Sequence, residues 1–281
     1  IGQAVLWAAT DVDPKNENPE LTTSEPYVMG SHATGCGGWA SGPEDVSPPE
    51  YFWGYNRMMT IEGLFGAGDA VGGTPHAFSS GSFTEGRLAA KAACKYIDDG
   101  KAEGIKVSDE QIERRKKEIF APLERYKIYR NEIVAGTVSP SYHHPKQGLD
   151  RLQKLMDEYC GGVTVGYMTN EKLLNICLKK LRIMEEDLEK LAAKDLHELL
   201  RAWELKHRHR TSECVTQHTL FRKETRWPGY YYRGDAMKLD DENWHVLTVS
   251  RRDPETGEYT MEKAPCYHLV DEEEESKDAA E

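Results

Sequence analysis

Residues 63–87 read GLFGAGDAVGGTPHAFSSGSFTEGR, and no other stretch narrows so far what this chain can fold into. Seven of these 25 residues are glycine. Glycine has no side chain and tolerates positive φ, so such a run lets the backbone turn sharply and approach a ligand closely. Residues 63–68 are expected to form a short buried strand that ends in glycines. Ser82 fits a helix N-cap with Glu85 as its capping-box partner. An apolar stripe then continues through Leu88, Ala89, Ala92, Ala93 and Ile97, and the helix stops at Asp98-Asp99-Gly100. A strand–glycine loop–helix unit therefore occupies 63–99. Its start aims free N–H groups and the positive end of a helix dipole at an anionic or electron-rich group. Asp69 places a carboxylate right after the close approach, and Ser79, Ser80 and Ser82 supply hydroxyls at the helix start. The phosphate-loop signature with its lysine is absent. On residue pattern alone, a cofactor site and a simple tight turn both stay open.

The rest of the chain changes texture twice. Residues 1–25 begin IGQAVLWAAT, which reads as the interior of an element and suggests a fragment or a cleaved chain, and they run into a polar linker. Residues 26–60 are rich in glycine, proline and aromatics, with short extended candidates at 26–30 and 54–60. From residue 108 the period is helical: 108–134, kinked at Pro122, then 149–159, 171–184 and 188–204. That is the texture of a helix bundle. A hairpin follows, HVLTVSRRD and EYTMEKAP about a turn at 254–257, and then an acidic, solvated tail at 271–281. The expected division is 1–25, 26–106 and 107–281, and the fold class is mixed, α+β or α/β.

A net charge of −12, from 48 acidic against 36 basic residues, argues against nucleic acid as a partner. The six cysteines are scattered without a CxxC pair, which supports neither a disulfide framework nor a metal or iron–sulfur site on this chain. Reduced thiols in a cytoplasm fit that usage. No apolar run reaches the length of a membrane span. The run His207-Arg208-His209-Arg210 reads as a solvated or partner-facing helix surface rather than a metal site.

TIEGLFGAGDAVGG followed by HAFSSGSFTEGR resembles the carboxy-terminal flavin motif of the fumarate reductase and succinate dehydrogenase flavoprotein superfamily. The resemblance implies that the chain holds the carboxy-terminal part of an FAD-binding domain followed by a helical domain. It implies that Asp69 binds the ribityl hydroxyls of FAD. It also implies that the backbone N–H groups of Ser82 and Phe83 face the flavin N1 and C2 carbonyl, with Ser79 and Ser80 alongside. Dicarboxylate members carry a substrate-binding arginine where this chain has Ala77, so the clamp for succinate or fumarate is missing. The block EPYVMGSHATGCGGWASGPEDVSPPEYFWGYNRM at 25–58, with TSECVTQHTLFRKETRWPGYYYRGD near the C-terminus, resembles the alpha subunits of dissimilatory adenylylsulfate reductases along nearly the whole chain.

That resemblance implies reversible reduction of adenylylsulfate to AMP and sulfite through an adduct of sulfite with the flavin N5. Electrons would come from a beta subunit with two 4Fe–4S clusters, and the missing dinucleotide fold would lie in the amino-terminal remainder of the subunit. A membrane-associated electron donor is compatible with this, without a membrane span on the chain. His32, in PYVMGSH, matches the active-site histidine, and His76 is the competing candidate. Trp39 and its aromatic neighbours are candidates to stack on adenine or wall the flavin, Arg57 to neutralise an anion, and Arg226 to meet the substrate anion or another domain. Another flavoprotein oxidoreductase (a fumarate reductase or an aspartate oxidase) and a non-catalytic, partner-binding fragment are the alternatives.

Overall fold

A computed structural model describes residues 13, 16, 37–72, 79–104, 106–132, 139–226 and 231–266. His32, His76, Ala77, the extended candidate at 26–30, nearly all of the 1–25 linker and the acidic tail lie outside the described residues. The fold is mixed helix and sheet, with 53% of the described residues helical. It divides into a unit of residues 29–118 and a unit formed by 1–28 with 119–281.

The first unit carries backbone-made loops followed by a helix. Isolated bridges join Gly38 to Val71, Ala40 to Met59 and Met58 to Phe65. The strand expected at 63–68 does not form. Gly63 and Gly68 take φ of +78° and +66°, which turn the chain out of the pleat, so only Phe65 keeps a bridge. A 3-10 turn at Gly68–Ala70 follows instead. Helix α1 (Ser79–Asp98) then begins three residues before the expected cap at Ser82. Its buried face is Glu85, Ala89, Ala92 and Tyr96, while Ile97 is exposed. The stripe is thus rotated from the expected one because Tyr96, not Ile97, packs inward, edge-on to Tyr55 and Phe65.

Helix α2 (Asp109–Tyr129) contains Pro122, and the boundary between units falls within it. In the second unit α3 (Pro145–Tyr159), α4 (Glu171–Leu188) and α5 (Leu196–Phe221) enclose one apolar core. Leu152, Leu155, Leu174, Cys177, Leu181, Met184, Leu188, Ala202 and Leu205 are buried together in it. Side-chain caps set the starts of two helices. Asn170 Oδ1 accepts from Leu173 N–H at 3.0 Å, and Asp195 Oδ1 from Glu198 N–H at 2.9 Å. The helix expected over 188–204 therefore starts only at Leu196, after the Asp195 cap, and runs on to Phe221.

Two small sheets complete this unit. The parallel pair β1 (Met168–Thr169) and β2 (Tyr232–Arg233) holds residues 232–233 just before α4. After a single helical turn, α6 (Asp241–Trp244), β3 (Val246–Arg252) and β4 (Tyr259–Pro265) form the expected hairpin, paired from Val246 with Pro265 to Arg252 with Tyr259. Its turn is closed by Asp253 Oδ1, which accepts the N–H groups of Glu255 and Thr256, and by Gly257 at φ +74°.

Candidate functional site

The 3-10 turn and the start of α1 are packed directly on each other. A Cβ added at Gly68 would sit 3.1 Å from Ser82 Oγ, and the left-handed φ there already favours glycine. At Gly37 an added Cβ would lie 2.5 Å from Gly72 N, so this backbone is also close-packed without side chains. Asp69, in the middle of the turn, is exposed, as are Ser79 and Ser80, and Ser82 is half-buried beneath the turn. Phe83 is 80% exposed, unusual for an aromatic ring.

Ser82 is an interior position of α1 rather than its cap. Glu85 is not a capping-box partner either. It is 6% exposed and paired with Arg57, whose Nη2 reaches Glu85 Oε1 at 3.0 Å. Chemically the surface offers a carboxylate for hydroxyl groups, hydroxyls and N–H donors for an electron-rich carbonyl, and an apolar ring. That donor set fits a flavin and its polyol chain.

Trp39 lies in the same unit, its ring centroid 5.0 Å from Tyr51 and 6.1 Å from Trp53, the latter edge-on. This is a packed aromatic cluster, with all three rings half-buried.

Arg226 belongs to the second unit, and its guanidinium is engaged there. It donates to Glu224 at 2.7 and 3.0 Å and pairs with Asp241 at 2.9 Å. Burial would raise the Glu224 carboxyl, but donors from Arg226, the Asp240 N–H and Arg222 outweigh it and hold it below the ordinary glutamate value. Arg222 extends the network to the carbonyls of Trp244 and Val246, both at 2.7 Å.

Arg233 was not singled out from sequence, although it is 2% exposed and its side chain closes off the end of α5. It donates to the carbonyls of Thr219, Leu220 and Arg222 and forms a two-pronged pair with Asp235 at 3.0 Å. A buried cation at a helix C-terminus satisfies carbonyls that the helix itself cannot. Only its place in the segment shared with the flavoprotein superfamily marked it.

The run 207–210 is not one solvated face. Arg208 pairs with Glu204 and Arg210 with Glu185 and Glu213, whereas His209 is 1% exposed and its Nε2 lies 2.8 Å from Leu181 O. The run sits in mid-helix, so every third or fourth position turns into the core. A cavity of about 670 Å³ opens beside it, walled by Pro145, Leu149, Leu205 and charged side chains including Arg201 and Arg208, both already paired with Glu204. It is remote in sequence from the glycine turn and holds none of the expected site residues.

A glycine turn seated on the start of a helix, followed by a helical unit, matches the carboxy-terminal part of the fumarate reductase-type flavoproteins. Residues 149–274 match the family described as "Fumarate reductase flavoprotein C-term". The E. coli quinol fumarate reductase FrdA has the same fold over 76% of this chain and 36% of its own, at a TM-score of 0.55 and 20% identity.

Within that class the chain is similar to the adenylylsulfate reductase alpha subunits. It is 41% identical over 280 residues to adenylylsulfate reductase subunit alpha of Megalodesulfovibrio gigas, which covers 96% of this chain and 41% of the relative. The structure of adenylylsulfate reductase from Archaeoglobus fulgidus matches at 51% identity and a TM-score of 0.83, over 96% of this chain and 42% of its own. A structure of adenosine-5-phosphosulfate reductase in complex with sulfite, as a covalent adduct, matches equally well. The chain thus spans about two fifths of the length of these relatives. Among the described residues no helix is long and apolar enough to cross a membrane.

Proposed function

We propose that this chain is the carboxy-terminal share of an enzyme that reduces adenylylsulfate to AMP and sulfite, reversibly, with FAD. The observation that carries this reading is the 51% identity, over 96% of the chain, to adenylylsulfate reductase. When bound, FAD supplies the two-electron exchange with the sulfur centre. The protein supplies placement and charge. Asp69 would hold the ribityl hydroxyls, and the backbone N–H groups of Ser82 and Phe83, with Ser79 and Ser80 alongside, would face the flavin N1 and C2 carbonyl, where negative charge builds on reduction.

His32 is the residue we assign to the sulfur group, as an imidazole that binds sulfite or the sulfate of the substrate, with His76 as the second candidate. Trp39 is left to the aromatic wall of the same region. Arg57 and Arg226 are less suited to an anion than their type suggests, because each guanidinium already faces a glutamate. In this reading residues 26–106 complete an FAD domain begun by the amino-terminal part of the same subunit, and 107–281 form the helical domain. Electrons arrive from an iron–sulfur beta subunit with two 4Fe–4S clusters, in the cytoplasm, from a donor that can itself be membrane-associated. A dicarboxylate substrate is disfavoured because Ala77 stands where its clamping arginine would be.

The test is the visible spectrum of the intact protein, assembled with its partner subunit, with and without sulfite. Bleaching of the flavin band, together with turnover of adenylylsulfate, is the expected result. An unbleached flavin that turns over fumarate overturns the reading.

A further inference from the structure

Arg57 has a backbone and a side chain that point to one purpose. Its φ is +63°, a left-handed conformation that a non-glycine residue keeps only where its surroundings fix it. Here they do. Its N–H donates to Ser41 O at 2.8 Å, its carbonyl accepts from Gly66 N–H at 3.0 Å, and its Nη1 returns to Ser41 O at 3.2 Å. Ser41 is fully buried, and its Oγ accepts the Trp53 N–H at 2.9 Å, tying in the aromatic cluster. On the far side the guanidinium grips Glu85, one turn beyond Ser82 in α1. One residue thus connects the Trp39–Trp53 loop, the glycine segment that leads into Gly68–Ala70, and the start of α1.

We propose that Arg57 is a positioning residue for the flavin: through Glu85 it fixes the start of α1 against the turn that carries Asp69. The inference rests on the flavin reading above. The turn and the helix start are consecutive parts of one binding surface, but 73–78 separate them in sequence, and a wedge of small residues alone does not set their angle. The part-buried Arg57–Glu85 pair is a polar link that spans from the loops to the first turns of the helix. An arginine suits this better than a lysine, because its planar fork reaches the Ser41 carbonyl and the Glu85 carboxylate in fixed directions at once.

The experiment uses the full-length subunit with its partner, carrying Arg57→Gly, Arg57→Lys or Glu85→Gln. FAD affinity is read by titrating the flavin-depleted protein, sulfite response by the concentration that half-bleaches the flavin band, and folding by the thermal midpoint. Arg57→Gly satisfies the left-handed backbone and removes only the side chain. It leaves Glu85, 6% exposed, without its partner, so the thermal midpoint should fall, and the folded protein should bind FAD roughly tenfold more weakly, since a misplacement of about 1 Å is costly in a preorganised site. Arg57→Lys is expected to fall between it and wild type, and Glu85→Gln to shift FAD affinity and sulfite response in the same direction. Unchanged affinity and bleaching in Arg57→Gly overturn the inference and leave Arg57 as a turn residue. Should that variant fail to fold, the near-isosteric Glu85→Gln decides, and wild-type affinity there overturns it as well. A wild-type protein that holds no flavin defeats the functional reading itself, and this inference with it.

Discussion

The second unit is held by side chains and the first by backbone. Around α3, α4 and α5, leucines at helical spacing bury one another, and Leu174, Cys177 and Leu181 are wholly enclosed. In residues 37–72 the contacts are instead N–H to carbonyl bonds between loops, such as Gly38 N–H to Ala70 O at 2.8 Å and Ser41 N–H to Met58 O at 2.8 Å. That unit leaves Ile61, Leu64 and Phe83 exposed. The contrast separates two tasks. A side-chain core stabilises without regard to any ligand, whereas a glycine-built surface brings backbone donors within reach of one and leaves apolar groups for it to cover.

If that contrast holds, the second unit should respond to core changes in proportion to what is buried. Arg233→Met should be the most damaging, because it leaves the last carbonyls of α5, those of Thr219 and Arg222, without their buried donor. Each buried carbonyl left unsatisfied costs about 1–3 kcal/mol, to be read from the urea midpoint. Leu181→Ala should cost about 2–5 kcal/mol by the same measurement, through lost contacts and the cavity left behind. Asp195→Ala removes the cap of α5 and should cost about 0.5–2 kcal/mol.

The smallest effect concerns pH. His218 lies 2.9 Å from both Thr248 Oγ1 and Ser250 Oγ, where α5 meets the hairpin. Burial, and then Arg222, push its pKa below the ordinary histidine value. The unfolded chain therefore takes up a proton more readily than the folded one. This group's share of stability is complete above about pH 6.5 and is lost as pH falls through the folded value. His218→Gln should flatten that slope in a series of urea melts between pH 7 and 5, and an unchanged slope would assign it to other groups.

These regions also differed in how far the residues announced them. Helices α3 and α4 and the hairpin were legible, since apolar spacing and the Pro254–Gly257 turn chemistry agree with the fold. Helix α5 was not. Its inward positions include His209, Glu213 and Thr216, so the buried face reads as polar, and only the Asp195 cap marks its start. In the first unit glycines signalled close approach correctly but were mistaken for a strand end, because a periodic pattern does not reveal which glycines take positive φ. Glu85 looked like a capping residue three positions after Ser82, and its true partner, Arg57, lies 28 residues away in sequence. The exposed carboxylate of Asp69 was anticipated, because it follows directly from GAGD. Non-local ion pairs have no such local signature.

The measurement that bears most directly on the glycine-built surface is FAD affinity in the full-length subunit carrying Gly68→Ala, beside wild type and Leu181→Ala. At Gly68 a methyl group crowds Ser82 Oγ at 3.1 Å and strains a left-handed backbone, which shifts the turn by a few tenths of an ångström on the helix start. Gly68→Ala should bind FAD at least roughly tenfold more weakly with the melting of the helical unit unchanged, as expected for a displaced contact in a preorganised site. Leu181→Ala should lower that melting point and keep wild-type affinity in the folded protein. Wild-type FAD affinity in Gly68→Ala would contradict the account.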